Sequence, residues 1–161
     1  MTRLFESVTD LAEGADVLRR RRYGVIEVRE GQLVQVRLRP YPKLVTALGP
    51  RLFGRWTHRT RPGDWCHLYY NQPRRFANFL AVIYVVSGAD CTLRTFRRAA
   101  TLVDEIAELK CSDALLCDVA NSRISERLLV RWGWEPHAPA LWHRNFIKRF
   151  YGVYPTADLA R

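Results

Sequence analysis

The sequence predicts a mixed α/β protein. An apolar strand, an amphipathic helix, a second apolar strand and a shorter helix follow one another between Phe79 and Trp134. Three observations carry this. The run Phe79–Val86 is rich in β-branched residues and breaks at Ser87-Gly88-Ala89, which reads as a buried strand by length and composition. From Thr92 to Leu109 apolar residues recur every three or four positions, the period of a helix buried on one side. Upstream, Tyr23–Arg29 and Gln32–Arg39 alternate apolar and charged residues around Glu30-Gly31, the pattern of a β-hairpin.

Taken in order, residues 8–22 predict a helix with Val8, Leu11, Ala12, Ala15 and Leu18 on one side. It ends in Arg19–Arg22, where cations complement the negative end of the helix dipole. The hairpin turns Val25, Ile26, Val28, Leu33 (or Val34), Val36 and Leu38 inward, leaves Glu27, Arg29, Arg37 and Arg39 on the other face, and stops at Pro40 and Pro42. A short helix is predicted over 44–48, then a loop interleaving Arg51, Arg55, Arg59 and Arg61 with Trp56 and His58. Trp65–Tyr70 reads as a strand ending in the turn Asn71-Gln72-Pro73. The apolar stretch from Phe76 to Val86 is expected to be buried, with Tyr84 in the core. In the long helix Leu93, Phe96, Ala100, Val103 and Ala107 form one stripe, widened by Ala99, Leu102, Ile106 and Leu109. Ala114–Val119 is the second apolar strand. A short helix follows, capped by Asn121 or Ser122 and closed by Gly133. Ile124, Leu128 and Trp132 point inward, Trp134–His137 is extended, and Trp142–Tyr151 is a closing strand.

At 161 residues with 48% apolar content the chain suits one globular domain. Residues 1–75 form its N-terminal helix, hairpin and basic loop, residues 76–151 its patterned core, and residues 152–161 a tail. No apolar run approaches the roughly 20 residues of a membrane span. Glu6, Asp10, Glu13 and Asp16 interrupt the N-terminus, which does not read as a secretory signal, so a cytoplasmic protein is expected. Cys66, Cys91, Cys111 and Cys117 form no C-x-x-C pair, and with His137 and His143 they give no metal-ligand spacing.

The net charge is +10, carried almost wholly by arginine, since Lys43, Lys110 and Lys148 are the only lysines. It is uneven: residues 1–75 hold 15 basic and 7 acidic side chains, against 11 and 9 in the remainder. Such a surface attracts polyanions and suits a small anionic ligand. Nucleic acid is therefore a candidate partner, although no RNA-binding signature is present, and charge by itself also serves solubility. The long helix carries Arg94, Arg97 and Arg98 in its first two turns and Asp104, Glu105 and Glu108 in its last two. The macrodipole prefers the reverse, by roughly 0.3–1 kcal/mol per well-placed charge. Free backbone N–H groups and guanidiniums at one helix end suit a phosphate or pyrophosphate. The competing reading is that these arginines reach solvent or a distant carboxylate.

Residues 76–151 resemble the GNAT N-acetyltransferase superfamily. The local match is Ser122-Arg-Ile-Ser-Glu-Arg-Leu-Leu-Val-Arg-Trp-Gly-Trp134, which is similar to the family segment N-x-x-(A/S)-x-x-x-(Y/L)-x-x-x-G-F. The resemblance implies a twisted mixed sheet flanked by helices, with acetyl-CoA or another acyl-CoA held where two parallel strands splay apart. It implies that pantetheine pairs with the backbone around Val85 and Val86. The pyrophosphate would then meet Gly88, Thr92 and the helix bearing Arg94, Arg97 and Arg98, with Ser122 at the family's asparagine position. The sequence departs from the family at the phosphate loop, which is Ser87-Gly88-Ala89-Asp90-Cys91-Thr92 and keeps one glycine. It departs again at Leu129, where many members carry a proton-donating tyrosine. An N-acyltransferase must orient an amine of a small molecule or peptide, accept its proton and stabilise a thiolate. Glu27, His67 or His58 could serve as base, and Tyr84 or Tyr70 as acid. The alternative is a catalytically degenerate GNAT-like module that binds an anionic ligand, nucleic acid or a protein partner. A third possibility is another α/β fold of similar topology.

Overall fold

In the computed structural model, residues 5–42, 61–119, 124–137 and 144–155 are described. They form β1 (Glu6–Val8), α1 (Ala15–Arg20), β2 (Tyr23–Arg29), β3 (Gln32–Arg39), β4 (Trp65–Asn71), β5 (Phe79–Ser87), α2 (Leu93–Leu109), β6 (Ala114–Asp118), α3 (Glu126–Arg131), β7 (Glu135–Pro136) and β8 (Asn145–Arg149). All eight strands join one mixed sheet in the order β1-β3-β2-β4-β5-β6-β8-β7, flanked by helices. Only β5 and β6 run parallel, joined by α2 as the crossover.

The hairpin forms as predicted because Glu30 (φ 50°) and Gly31 (φ 76°) both adopt the left-handed conformation that a tight two-residue turn needs. A bulge in β3 opposite Glu27 and Val28 makes Val34 the extra residue. Leu33 therefore faces the core and Val34 is exposed. A second bulge lies in β5, where Tyr69 pairs with Tyr84 but Tyr70 with Val82. Because strand side chains alternate, one extra residue sends everything beyond it to the opposite face. Leu80, Val82 and Val85 pack toward α2, whereas Tyr84 and Val86 sit on the other face. Tyr84 is thus not a core residue, and Phe76, 60% exposed, precedes the strand.

Helix α2 covers one sheet face, packing on β2, β3, β4 and β6. Ala99, Leu102, Val103, Ile106 and Ala107 are buried against Ile26, Val28, Val36, Leu38, Leu68 and Tyr70. Leu93, read as part of this stripe, is instead exposed at the first turn. Thr95 is buried and its Oγ1 accepts the Gly31 N–H at 2.8 Å, fastening the hairpin turn to the helix. Gly24 lies under the Tyr70 ring, so a Cβ there would come within 2.6 Å of the hydroxyl oxygen. Near the middle of α2, the buried Asp104 accepts from Lys148 of β8 at 2.6 Å. Burial pushes the Asp104 carboxyl above its ordinary value despite the Lys148 charge.

The predicted helix over 8–22 becomes β1, a turn and the six-residue α1. Asp10 Oδ1 accepts the N–H groups of Ala12 and Glu13, and its carbonyl accepts that of Gly14. Asp10 thereby caps a helical turn that begins after it, so no helix runs through from residue 8. Val8 pairs with Val36, which extends residues 6–8. The short last helix is capped by Ser125, whose side chain accepts from Leu128 N–H, and Gly133 closes it at φ 86°. Leu129 is its buried residue, while Ile124 and Trp132 are partly buried against the core. The closing strand is Asn145–Arg149. The predicted caps Asn121 and Ser122, the helix over 44–48, and the loop residues Arg51, Arg55, Trp56, His58 and Arg59 lie outside the described residues, as do Trp142 and His143. No helix among the described residues is long and apolar enough to cross a membrane.

Candidate active site on the open sheet face

Strand registers set out the face opposite α2 as rows of side chains. Gln35, Glu27, His67 and Val86 form one row, because Glu27 pairs with Gln35 and His67, and His67 with Val86. Arg37, Val25, Tyr69 and Tyr84 form the next by the same pairings. Candidate bases and an acid that lie far apart in sequence thus become neighbours.

Glu27 is held on both oxygens. Arg37 Nε bonds Oε1, and Gln35 Nε2 donates to Oε2 at 2.9 Å. Its side chain is only 12% exposed, so a charge-neutralising partner is what makes its burial affordable. His67 is half-buried beside the Trp65 indole, with ring centroids 4.9 Å apart. Burial lowers its pKa below the ordinary value. Glu27 opposes this, while the Arg37, Arg61 and Arg29 charges add to it. The imidazole is therefore neutral near pH 7 and able to accept a proton. Tyr84 stacks on Tyr69 at 5.9 Å, and burial together with Tyr69 raises its pKa, so it keeps its proton. Tyr70 lies on the other face, buried under α2, with its pKa driven up by burial alone. It cannot reach this site.

Strand β5 pairs with β6 only from Phe79 to Val82. On its other side β6 pairs with β8 along its whole length, and Val119 N–H donates to the Arg144 carbonyl. No described strand pairs with Ile83–Ser87 on that side, although β4 pairs with β5 as far as Ser87. Parallel pairing thus ends before Tyr84 and Val86 are reached. Val85 lies in the same stretch, its side chain packed toward the core.

The loop after β5 and the start of α2 are engaged within the chain. Gly88 N–H donates to the Trp65 carbonyl, Ala89 N–H to Arg61, and Cys91 N–H to Gly88. Gly88 is pressed so closely on Gly63 that a Cβ would sit 2.0 Å from its carbonyl oxygen. Thr92 caps α2, its side chain accepting from Thr95 N–H. Its own N–H donates to Asp64 Oδ1 at 2.8 Å, and its hydroxyl lies 3.1 Å from Oδ2. The carboxylate of Asp64 stands where the positive end of the helix dipole favours an anion. Asp90 Oδ2 accepts the Gly63 N–H at 2.8 Å. The arginines diverge: Arg94 lies over Gly31 and its charge acts on Asp64. Arg97 lies 6.0 Å from the Trp132 ring, and Arg98 pairs with Glu105 at 2.9 Å. Arg98 therefore has a carboxylate seven positions on, which a search three or four residues away does not find.

Burial pushes the Asp64 carboxyl up, but hydrogen bonds from Thr92 and Thr95 and the Arg94 charge hold it below the ordinary value of 3.8. A carboxyl with a depressed folded pKa contributes stability above its unfolded pKa and loses it as pH falls through the folded one. Asp64→Asn is expected to cost about 1 kcal/mol near neutral pH, the scale of an anion at a helix start. In urea denaturation that cost should shrink below the ordinary aspartate pKa.

Sequence reasoning missed Asp64 and Gln35. Asp64 is 28 residues from Thr92 in the chain, and no local spacing links them. Gln35 is marked only by its register opposite Glu27. Ser122 lies outside the described residues, and Leu129 is buried in the core. Among the described residues no group of three or more His, Cys, Asp or Glu stands close enough to hold a metal ion.

No model of a known protein family matches the sequence, and no curated protein is significantly similar to it. Among solved structures, that of a nourseothricin acetyltransferase is similar in fold. The likeness covers 91% of this chain and 98% of that chain, at 12% identity and a TM-score of 0.44.

Proposed function

We propose that this chain is an acyl-CoA-dependent N-acyltransferase, moving an acetyl or other acyl group from a thioester to an amine of a small molecule or peptide. The observation that carries the reading is that, among the described strands, β6 pairs with β5 only as far as Val82, so that Val85 and Val86 lie past the parallel pairing, Val86 on a face that also bears His67 and Tyr84. An extended arm with amide groups, such as pantetheine, can pair with an open strand edge as another strand would. Val85 and Val86 would supply that backbone. Neighbouring strands lie about 4.8 Å apart, so His67 on β4 stands two strand spacings from the arm and Glu27 on β2 three, with Tyr84 on β5 next to it.

In this reading the amine nitrogen attacks the thioester carbon and the carbon–sulfur bond breaks. His67 accepts the proton lost by the amine, and the Tyr84 hydroxyl gives its proton to the departing thiolate. Glu27, held by Arg37 and Gln35, positions His67 and favours the imidazolium that forms. The nucleotide end of the donor fits less well, because the amides of Gly88, Ala89, Cys91 and Thr92 already donate within the chain. Arg94 and Arg97 are exposed at the α2 start and would be the side chains nearest a phosphate there, Arg94 acting also on Asp64 and Arg97 lying over Trp132, while Arg98 is committed to Glu105.

Those engaged amides, the buried Leu129 and the +10 charge favour a second reading, a GNAT-like module that binds an anionic ligand, nucleic acid or a protein partner without catalysis. Thiol release from acetyl-CoA across a panel of amines, with acylated product identified by mass, separates the two. Amine-dependent release is expected. Release in no case, with salt-sensitive retention of RNA, would leave the binding module.

A further inference from the structure

On the same face, a groove of about 390 Å³ overlaps the Arg37–Tyr84 row, running between the N-terminal residues and β2, β3 and β4, with Gln35 and Arg37 of the candidate site in its lining. Phe5, Ser7, Val25, Arg39 and Tyr69 line it. Its charges are settled with one exception. Glu6 pairs with Arg21 at 2.7 Å, and Arg37 pairs with Glu27. Arg39 makes no ion pair among the described residues. Its guanidinium lies over the Tyr69 ring, 5.9 Å from the centroid, and its Nη1 is shut off from solvent with no hydrogen-bond partner. A buried guanidinium nitrogen without an acceptor carries the full loss of its hydration. The ring face below it offsets part of that loss and leaves the in-plane N–H donors unused.

We propose that this groove binds a small molecule with a carboxylate at one end and an apolar, flat body behind it. The carboxylate would accept from the Nε and Nη2 edge of the Arg39 guanidinium, whose planar fork suits two parallel hydrogen bonds, since Nη1 is closed to solvent. The body would rest on Tyr69, under Phe5, which is 66% exposed at the rim. With the neighbouring acids neutralised by Arg21 and Arg37, the net charge presented to a ligand is positive. The groove shares Gln35, Arg37 and Tyr69 with the candidate active site, but its binding is tested without a thioester, so its failure and that of acyl transfer are distinguishable.

The test is calorimetric titration of the full chain with 3-phenylpropionate, its carboxamide and inorganic phosphate. The acid is expected to bind saturably and at least about ten-fold more tightly than the other two, by its charged bidentate contact. Arg39→Lys should weaken the acid about ten-fold or more, since a lysine lacks the planar fork. Arg75→Lys, a change on the exposed turn before β5, should leave it unchanged. Equal binding of acid and amide, no saturable binding of the acid, or binding undiminished in Arg39→Lys would overturn the proposal. The acid–amide comparison needs no variant, so it stands even where Arg39→Lys folds poorly.

Discussion

Lys148→Met is expected to destabilise the protein by about 3–5 kcal/mol, because it strands a buried carboxylate that has lost its only charged partner. Asp104 and Lys148 side chains are 8% and 10% exposed, and Asp104 Oδ1 has no hydrogen-bond partner. Burial already raises the Asp104 pKa with the lysine present. Removing the lysine drives the carboxyl toward its protonated form, so the loss in urea denaturation should be larger at neutral pH than in acid. The double variant Asp104→Leu with Lys148→Met should recover most of the loss, since an apolar pair of similar volume needs no desolvation of charge. The contact also matters for the site. It ties α2, which packs on the hairpin and β4, to β8, whose Lys148 stands beside Leu115 of β6.

His67→Gln is expected to lower the rate of acyl transfer about 10²–10⁴-fold, the usual contribution of a general base. Binding of the donor should change little, because the imidazole acts on the amine. In the unaltered protein the rate should fall on the acid side through a pKa below the ordinary histidine value, since burial and the nearby arginines lower it. Glu27→Gln removes the one acid opposing that shift. The inflection should then move further toward acid while the rate falls less than in His67→Gln. A pH profile unmoved by Glu27→Gln would remove the positioning role.

Much of the fold was legible because its signals are local. Glu30-Gly31 between alternating runs specified the hairpin, and the stripe from Phe96 to Leu109 specified α2. The order strand, helix, strand also specified the parallel pair. What failed was set by partners distant in sequence or by broken periods. Asp10 and the pairing of Val8 with Val36 turned an apparent helix into a strand, a turn and one short helix. The bulge in β5 reversed Tyr84 and Val86, and no composition rule marks such a residue. The row of arginines left two readings, a phosphate site or side chains reaching solvent or a distant carboxylate. Asp64, Glu105 and Trp132 meet that row from within the chain. Of the candidate site, the residue types were legible and their arrangement was not. Glu27, His67 and Tyr84 are joined only by the registers of three strands.

The most direct test of the central claim is calorimetric titration with acetyl-CoA, acetyl-pantetheine and ATP at moderate salt. A donor held by the β5 edge, with the loop amides already engaged, should bind as acetyl-CoA and acetyl-pantetheine within about ten-fold of each other, a spread of about 1.4 kcal/mol. ATP should not bind measurably. Binding of ATP as tight as that of acetyl-CoA, or no binding of either thioester, would contradict the account.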